Sequence, residues 1–219
     1  SYAIGGTDAP LLSADSATGV VKLTADPDYE TQSSYSFTVT ATDAAGTSNA
    51  TAVTFSIFNV DEVVPTITSG ATGTNFVENS GAGQTVYTII STANDGGTIS
   101  SYAIGGTDSA LLSVDSATGV VSLTADPDYE TKNSYSFTVT ASDAAGTSNA
   151  TAVTFSVTNE DEVVPTITSG ATGTSLAENT GAGQTVYTIT ATANDGGTIS
   201  SYAIGGTDSA LLSVESATG

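Results

Sequence analysis

The sequence predicts an all-β protein of tandem, seven-stranded Greek-key β-sandwich modules of about 100 residues, and three observations carry that prediction. The chain repeats itself: SYAIGGTD begins at Ser1, Ser101 and Ser201, residues 1–100 and 101–200 agree at 84 of 100 positions without a gap, and 18 of the last 19 residues match again. A period of that length is a whole domain, because solenoid units of roughly 20–50 residues cannot bury a core alone. Apolar residues alternate with Ser or Thr along the clearest segments, the signature of strands with one buried and one wet face. Residues 101–200 hold 33 Ser or Thr, which suits solvated strand faces, and no stretch shows the spacing of an amphipathic helix.

Taken in order through one complete repeat, strands are predicted at 64–69, 75–79, 85–91, 99–104, 111–115, 120–124, 135–141 and 153–157. The first two count as one interrupted strand. Tyr135, Phe137 and Val139 alternate with Ser136 and Thr138, and Val153, Phe155 and Val157 with Thr154 and Ser156, so these last two strands are the most strongly patterned. Gly81-Ala82-Gly83, Asp95-Gly96-Gly97, Ala117-Thr118-Gly119 and Ala144-Ala145-Gly146 supply the turns. Acidic residues leading into Pro65, and their copy before Pro165, mark the module boundaries; a proline opening a strand forfeits no needed N–H. Residues 1–61 are then the back part of one repeat, 62–162 a complete repeat, and 163–219 the front of another. The first and last pieces are expected to be unstable alone, as half-sandwiches with unpaired edges.

Composition narrows the function. The 219 residues carry 23 Asp or Glu against two basic residues, Lys22 and Lys132, for a net charge of −21, and lack His, Cys, Met and Trp. Nucleic acid is excluded as a partner, since its affinity comes from Lys and Arg neutralising phosphates. Imidazole bases, thiolate nucleophiles and zinc sites of the common kinds are closed. Asp128 and Glu130 as a glycosidase pair is the one enzymatic alternative; both lie on one short segment in a nearly verbatim repeat without Trp, so no enzyme is expected. No apolar run is long enough to span a bilayer, and an export signal would lie outside this stretch.

The carboxylates are clustered. Residues 101–200 contain 11, of which eight fall in five short signatures: Glu178 in Ala-Glu-Asn, Asp195 in Ala-Asn-Asp-Gly, Asp128 and Glu130 as the Asp-Tyr-Glu that ends Asp-Pro-Asp-Tyr-Glu, Asp143 in Ala-Ser-Asp, and Glu160-Asp161-Glu162 at the boundary. Asp108, Asp115 and Asp126 are left over and read as solvated surface. Two like charges about 4 Å apart repel by about 4 kcal/mol at an effective dielectric near 20. With almost no basic side chains, a hard divalent cation is the natural counter-charge, and calcium accepts six to eight oxygens, by the general rule for that ion.

In order and spacing these signatures resemble those of the cadherin repeat. The resemblance implies Ca2+ bound at the module junctions. At the first junction it implies ligands Asp28, Glu30, Asn59, Asp61, Glu62, Asp95 and Asp143; at the second, Glu78, Asp128, Glu130, Asn159, Asp161, Glu162 and Asp195. Ala93 and Ala193 stand where the family has the first Asp of its DxD motif, and Val63 and Val163 where its linker has a second Asn, so one or two ions per junction are expected in place of three. The implied role is a structural extender of a long extracellular, cell-surface protein of the bacterial adhesin type, stiffened by calcium ions and in contact with neighbouring repeats of its own chain. The alternatives are an adhesive module making homotypic filament or cell-surface contacts, and a passive acidic spacer without calcium. Asn49-Ala50-Thr51 and Asn149-Ala150-Thr151 are glycosylation-type triplets to which no function is attached.

Overall fold

The computed structural model describes residues 1–219 and contains strands, turns and three short 3-10 segments, with no α-helix. It divides into two compact units, one of Ser1–Thr66 with Thr92–Ser100 and Ala141–Ser148, the other of Ile67–Ser91 with Ser101–Thr140 and Asn149–Gly219.

The first unit holds β1 (Tyr2–Gly5), β2 (Leu12–Ala14), β3 (Val21–Leu23), β4 (Ser34–Asp43), β5 (Gly46–Thr47) and β6 (Thr51–Ser56). β4 pairs antiparallel with β1, with β6 and, at its end, with β5, while β2 and β3 form their own hairpin. Tyr35 and Phe37 point inward and are buried, and Tyr35 stacks on Phe55 at 4.8 Å. Residues 1–61 hold β2 and β3, the counterparts of Leu112–Val114 and Val120–Leu123 in the second unit, but none of Phe76–Val77 and Thr85–Thr88. Val39 and Val53 are accordingly only half-buried.

The chain continues through β7 (Thr66–Ile67), β8 (Phe76–Val77), β9 (Thr85–Thr88), β10 (Ser91–Thr92), β11 (Ser101–Gly105), β12 (Leu112–Val114), β13 (Val120–Leu123), β14 (Ser134–Ser142), β15 (Thr151–Thr158), β16 (Thr166–Ile167) and β17 (Ala191–Thr192). In the second unit the sheet β11-β14-β15-β8 packs on β12-β13-β9, giving a Greek-key β-sandwich. The alternation read from the sequence decides the register: Tyr135 lies opposite Phe155 and Phe137 opposite Val153 on the inner face, Ser134 opposite Ser156 and Ser136 opposite Thr154 on the outer. Tyr135 stacks on Phe155 at 4.7 Å, and Phe137 meets Tyr87 of the facing sheet edge-on at 6.0 Å. Phe137, Val86, Val121, Val139 and Val153 are essentially sealed from water, each side chain contributing about 1.5–3 kcal/mol by burial.

Three strand boundaries differ from expectation. The interrupted strand 64–79 changes sheets: β7 pairs with β10, and β8 runs parallel to β15. Gly73 sits at the crossing, donating its N–H to Thr154 O at 2.9 Å, where a Cβ would lie 2.9 Å from Val86 O and 3.3 Å from Phe155 Cβ. The expected strand 85–91 is split into β9 and β10. Leu111 closes a 3-10 turn (Ser109–Leu111), so β12 starts one residue later.

The leftover acids are structural, not merely solvated. Asp108 is 8% exposed, accepts Ser136 N–H at 2.7 Å and lies 2.9 Å from Lys132 Nζ. Asp115 Oδ1 accepts the N–H groups of Ala117 and Thr118, and Asp126 Oδ1 that of Gly81. Asp115 and Asp126 thus satisfy backbone donors in turns, and Asp108 a donor of β14. In residues 163–219, β16 and β17 pair antiparallel and Ser209–Leu211 repeats the 3-10 turn. Leu212 is 50% exposed where Leu112 is 6%, because residues 163–219 hold no counterparts of β13, β14 and β15 to cover it.

Candidate metal centre

Three carboxylates from separate segments meet in the second unit. Carboxylate oxygens of Glu78, Glu130 and Glu162 lie within 4.8 Å of one another. Glu78 follows β8 directly and is 1% exposed. Its own N–H donates to Thr158 O at 3.1 Å, and its two oxygens accept Tyr129 N–H at 2.7 Å and Glu160 N–H at 2.8 Å. One buried acid therefore ties together β8, the loop after β13 and the linker. Asp128 shapes that loop by accepting Thr131 N–H at 3.0 Å and Thr131 Oγ1 at 2.7 Å, which presents Glu130. The same hydrogen bonds hold the Asp128 carboxyl below its usual range.

Asp195 completes the group from the third repeat. Its φ of 56° is left-handed, tolerated best by Gly, Asn and Asp. Asn159 Nδ2 donates to its carbonyl at 3.0 Å and Glu162 N–H to its Oδ2 at 3.1 Å, while its Oδ1 is buried without a partner. Asn159 Oδ1 is likewise buried and unpartnered. Asp195, beside Glu130, pushes the Glu130 carboxyl up to about 7, with burial and the charge of Glu78 adding to the effect. The Asp195 carboxyl is in turn held low by Glu130 and by the Glu162 N–H. Glu162 is lowered by the amide of Asn79, but Asp195, partial desolvation and Glu78 outweigh this and leave it raised.

The first unit repeats the arrangement. Glu30, Glu62 and Asp95 bring carboxylate oxygens within 4.8 Å of one another. Asp95 has φ 54°, accepts Asn59 Nδ2 on its carbonyl at 2.8 Å and Glu62 N–H on Oδ2 at 3.3 Å. It raises both Glu30 and Glu62. Asp28 caps its loop through Thr31, as Asp128 does. Both oxygens of Asp61 and Oδ2 of Asp143 are buried without a hydrogen bond; Asp143 Oδ1 accepts Ala145 and Gly146 N–H.

Buried polar atoms in folded proteins are nearly always paired, so these orphaned oxygens beside unneutralised carboxylates have the chemistry of a cation site. Every donor is oxygen, which selects a hard ion such as calcium over zinc or copper. A Cβ at Gly97 would overlap the Asp61 carboxylate, and one at Gly197 that of Asp161, which is exposed. The sequence marks Asp95-Gly96-Gly97 only as a turn; that Gly97 and Gly197 lie against the linker acids is a finding of the structure. Also missed were Asn94, whose Nδ2 braces Val64 O at 2.8 Å, its copy Asn194 on Val164 O, and Asn79.

Residues 74–158 match the profile of the family described as Cadherin domain. Protocadherin Fat 4 of Mus musculus is 31% identical over 142 residues, 63% of this chain and 3% of that protein. Protocadherin-16 of Homo sapiens is 28% identical over 200 residues, 88% of this chain and 6% of that protein. The chain thus spans a small fraction of these relatives. Among solved structures, mouse cadherin-23 EC22-24 superposes over 100% of this chain and 73% of its own with TM-score 0.70 at 24% identity. Mouse protocadherin-24 EC1-3 covers 89% of this chain and 66% of its own with TM-score 0.68 at 23% identity.

Proposed function

We propose, on the premise that this chain is a run of cadherin-like repeats of which residues 74–158 make one cadherin domain, that it is a calcium-stiffened extender of a long extracellular adhesion-type protein. The carrying observation is the convergence of Glu78, Glu130 and Glu162 from three segments on one point, with the unpartnered Asp195 Oδ1 nearby. Repulsion among these acids costs stability unless a cation intervenes. Glu78, Glu130, Glu162 and Asp195 would hold calcium at the second junction, with Asp128, Asn159 and Asp161 beside them; Glu30, Glu62, Asp95 and Asp61 would do so at the first, with Asp28, Asn59 and Asp143 beside them. Bound calcium supplies positive charge that ligands from successive repeats share.

The repeats 1–61, 62–162 and 163–219 then act as units of length, non-enzymatic and nearly identical. Near-verbatim copies without Cys and with only two basic residues support a bacterial surface setting, whereas the relatives named above are animal proteins. Calorimetric titration of the 219-residue chain with calcium tests the proposal. Saturable binding accompanied by a rise in melting temperature is expected; no binding at millimolar calcium would leave the acids as passive solubilising charge.

A further inference from the structure

The three converging acids are not equally well held. Glu78 is buried and fixed at both oxygens, whereas Glu162 lies on the exposed linker. Among carboxylate neighbours, one side-chain donor reaches it: Asn79 Nδ2 donates to Glu162 Oε1 at 2.8 Å. Asn79 is itself locked. Its φ of 56° is left-handed, and its N–H donates to Pro127 O at 2.9 Å, in the loop that presents Asp128 and Glu130. Asparagine is among the few residues that take this conformation readily, and here it aims the side-chain amide at the linker. Asn179, following Glu178, has the same conformation, φ 63°.

We propose that Asn79 is a positioning residue for the cation site, holding the Glu162 carboxylate toward Glu78 and Glu130 before an ion arrives. A flexible Glu on an open linker would otherwise have to be ordered on binding, which lowers affinity. Partners that orient a metal ligand typically change affinity by about 10–100-fold when removed. This inference rests on the calcium reading above.

The test uses the 219-residue chain in four forms: unaltered, Asn79→Gly, Glu162→Asp and the double variant. Glycine keeps the left-handed backbone and deletes the amide, so the fold is retained. Calcium affinity by calorimetry is expected to fall about tenfold in Asn79→Gly, while the melting temperature in chelator stays within a few degrees. Aspartate at 162 is one methylene shorter and withdraws from Asn79, so in that background Asn79→Gly should cost much less affinity. In chelator, the Asn79 side-chain amide resonances should shift on Glu162→Asp. Equal losses of affinity in both backgrounds, no loss in either, or an unmoved amide resonance would overturn the inference. Absence of saturable calcium binding by the unaltered chain would instead overturn the calcium reading, and this inference with it.

Discussion

Glu130 shows most plainly what single residues do here. Its carboxyl is raised from an ordinary 4.5 to about 7 because Asp195 adjoins it. A raised pKa in the folded state means that the proton favours folding: this contribution is fully present below about 4.5 and is lost as pH rises through about 7. In chelator, melting temperature should therefore decline between pH 5 and pH 8. With calcium replacing the proton the decline should be absent, and calorimetry near pH 6.5 in buffers of different ionisation enthalpy should register proton release. Glu130→Ala extends the argument. It deletes a proposed ligand and, without metal, relieves repulsion, so stability should drop with calcium and hold or rise in chelator. Equal loss in both conditions would make Glu130 a plain structural acid. Gly197 acts through sterics, since a Cβ there overlaps Asp161. Gly197→Ala should weaken calcium binding about tenfold, by displacing Asp161 from the proposed site, with a smaller effect in chelator.

At the level of elements the same fold separates what a linear pattern reveals from what it hides. β14 and β15 were legible because Tyr135, Phe137, Val139 and Val153, Phe155, Val157 alternate with hydroxyls, and period two admits one inward face. The sheet change between β7 and β8 was not, because it depends on a close approach at Gly73 that only the packed Phe155 and Val86 create. Clustering of the acids was legible from the sequence, but the shared destination of Glu78, Glu130 and Glu162 was legible only through the family resemblance. Asp108 was not, since its burial comes from Ser136 and Lys132 28 and 24 positions along the sequence. Asn79 and Gly97 were hidden for a like reason: each matters through one partner distant in sequence. Gly73→Ala checks the crossing. It should destabilise the chain by about 1–3 kcal/mol through overpacking, equally with calcium and in chelator, in denaturant titrations of both states. A loss confined to the calcium-loaded state would instead tie the crossing to the ion site.

For the whole molecule the question is what a net charge of −21 does. General self-repulsion and site-specific calcium binding both respond to added salt, but differently. Repulsion among exposed charges is screened over a Debye length of about 10 Å at 0.1 M ionic strength by any electrolyte. A shared coordination site needs an ion of fitting size, and magnesium, which demands a tight octahedron, should serve poorly. If repeats are units of length, each contributes roughly 35–45 Å, a strand of about ten residues at about 3.3 Å each plus its turns. On the proposed function, ions held by ligands from successive repeats would restrict the angle at each acidic linker. X-ray scattering at constant ionic strength separates the two effects: calcium should narrow the distribution of interatomic distances and extend its maximum relative to chelator. Raising sodium chloride alone should contract the chain, since screening removes repulsion without fixing any angle. Profiles that superpose in chelator, magnesium and calcium would leave only the electrostatic spacer, and the convergence of Glu78, Glu130 and Glu162 would then have no mechanical consequence.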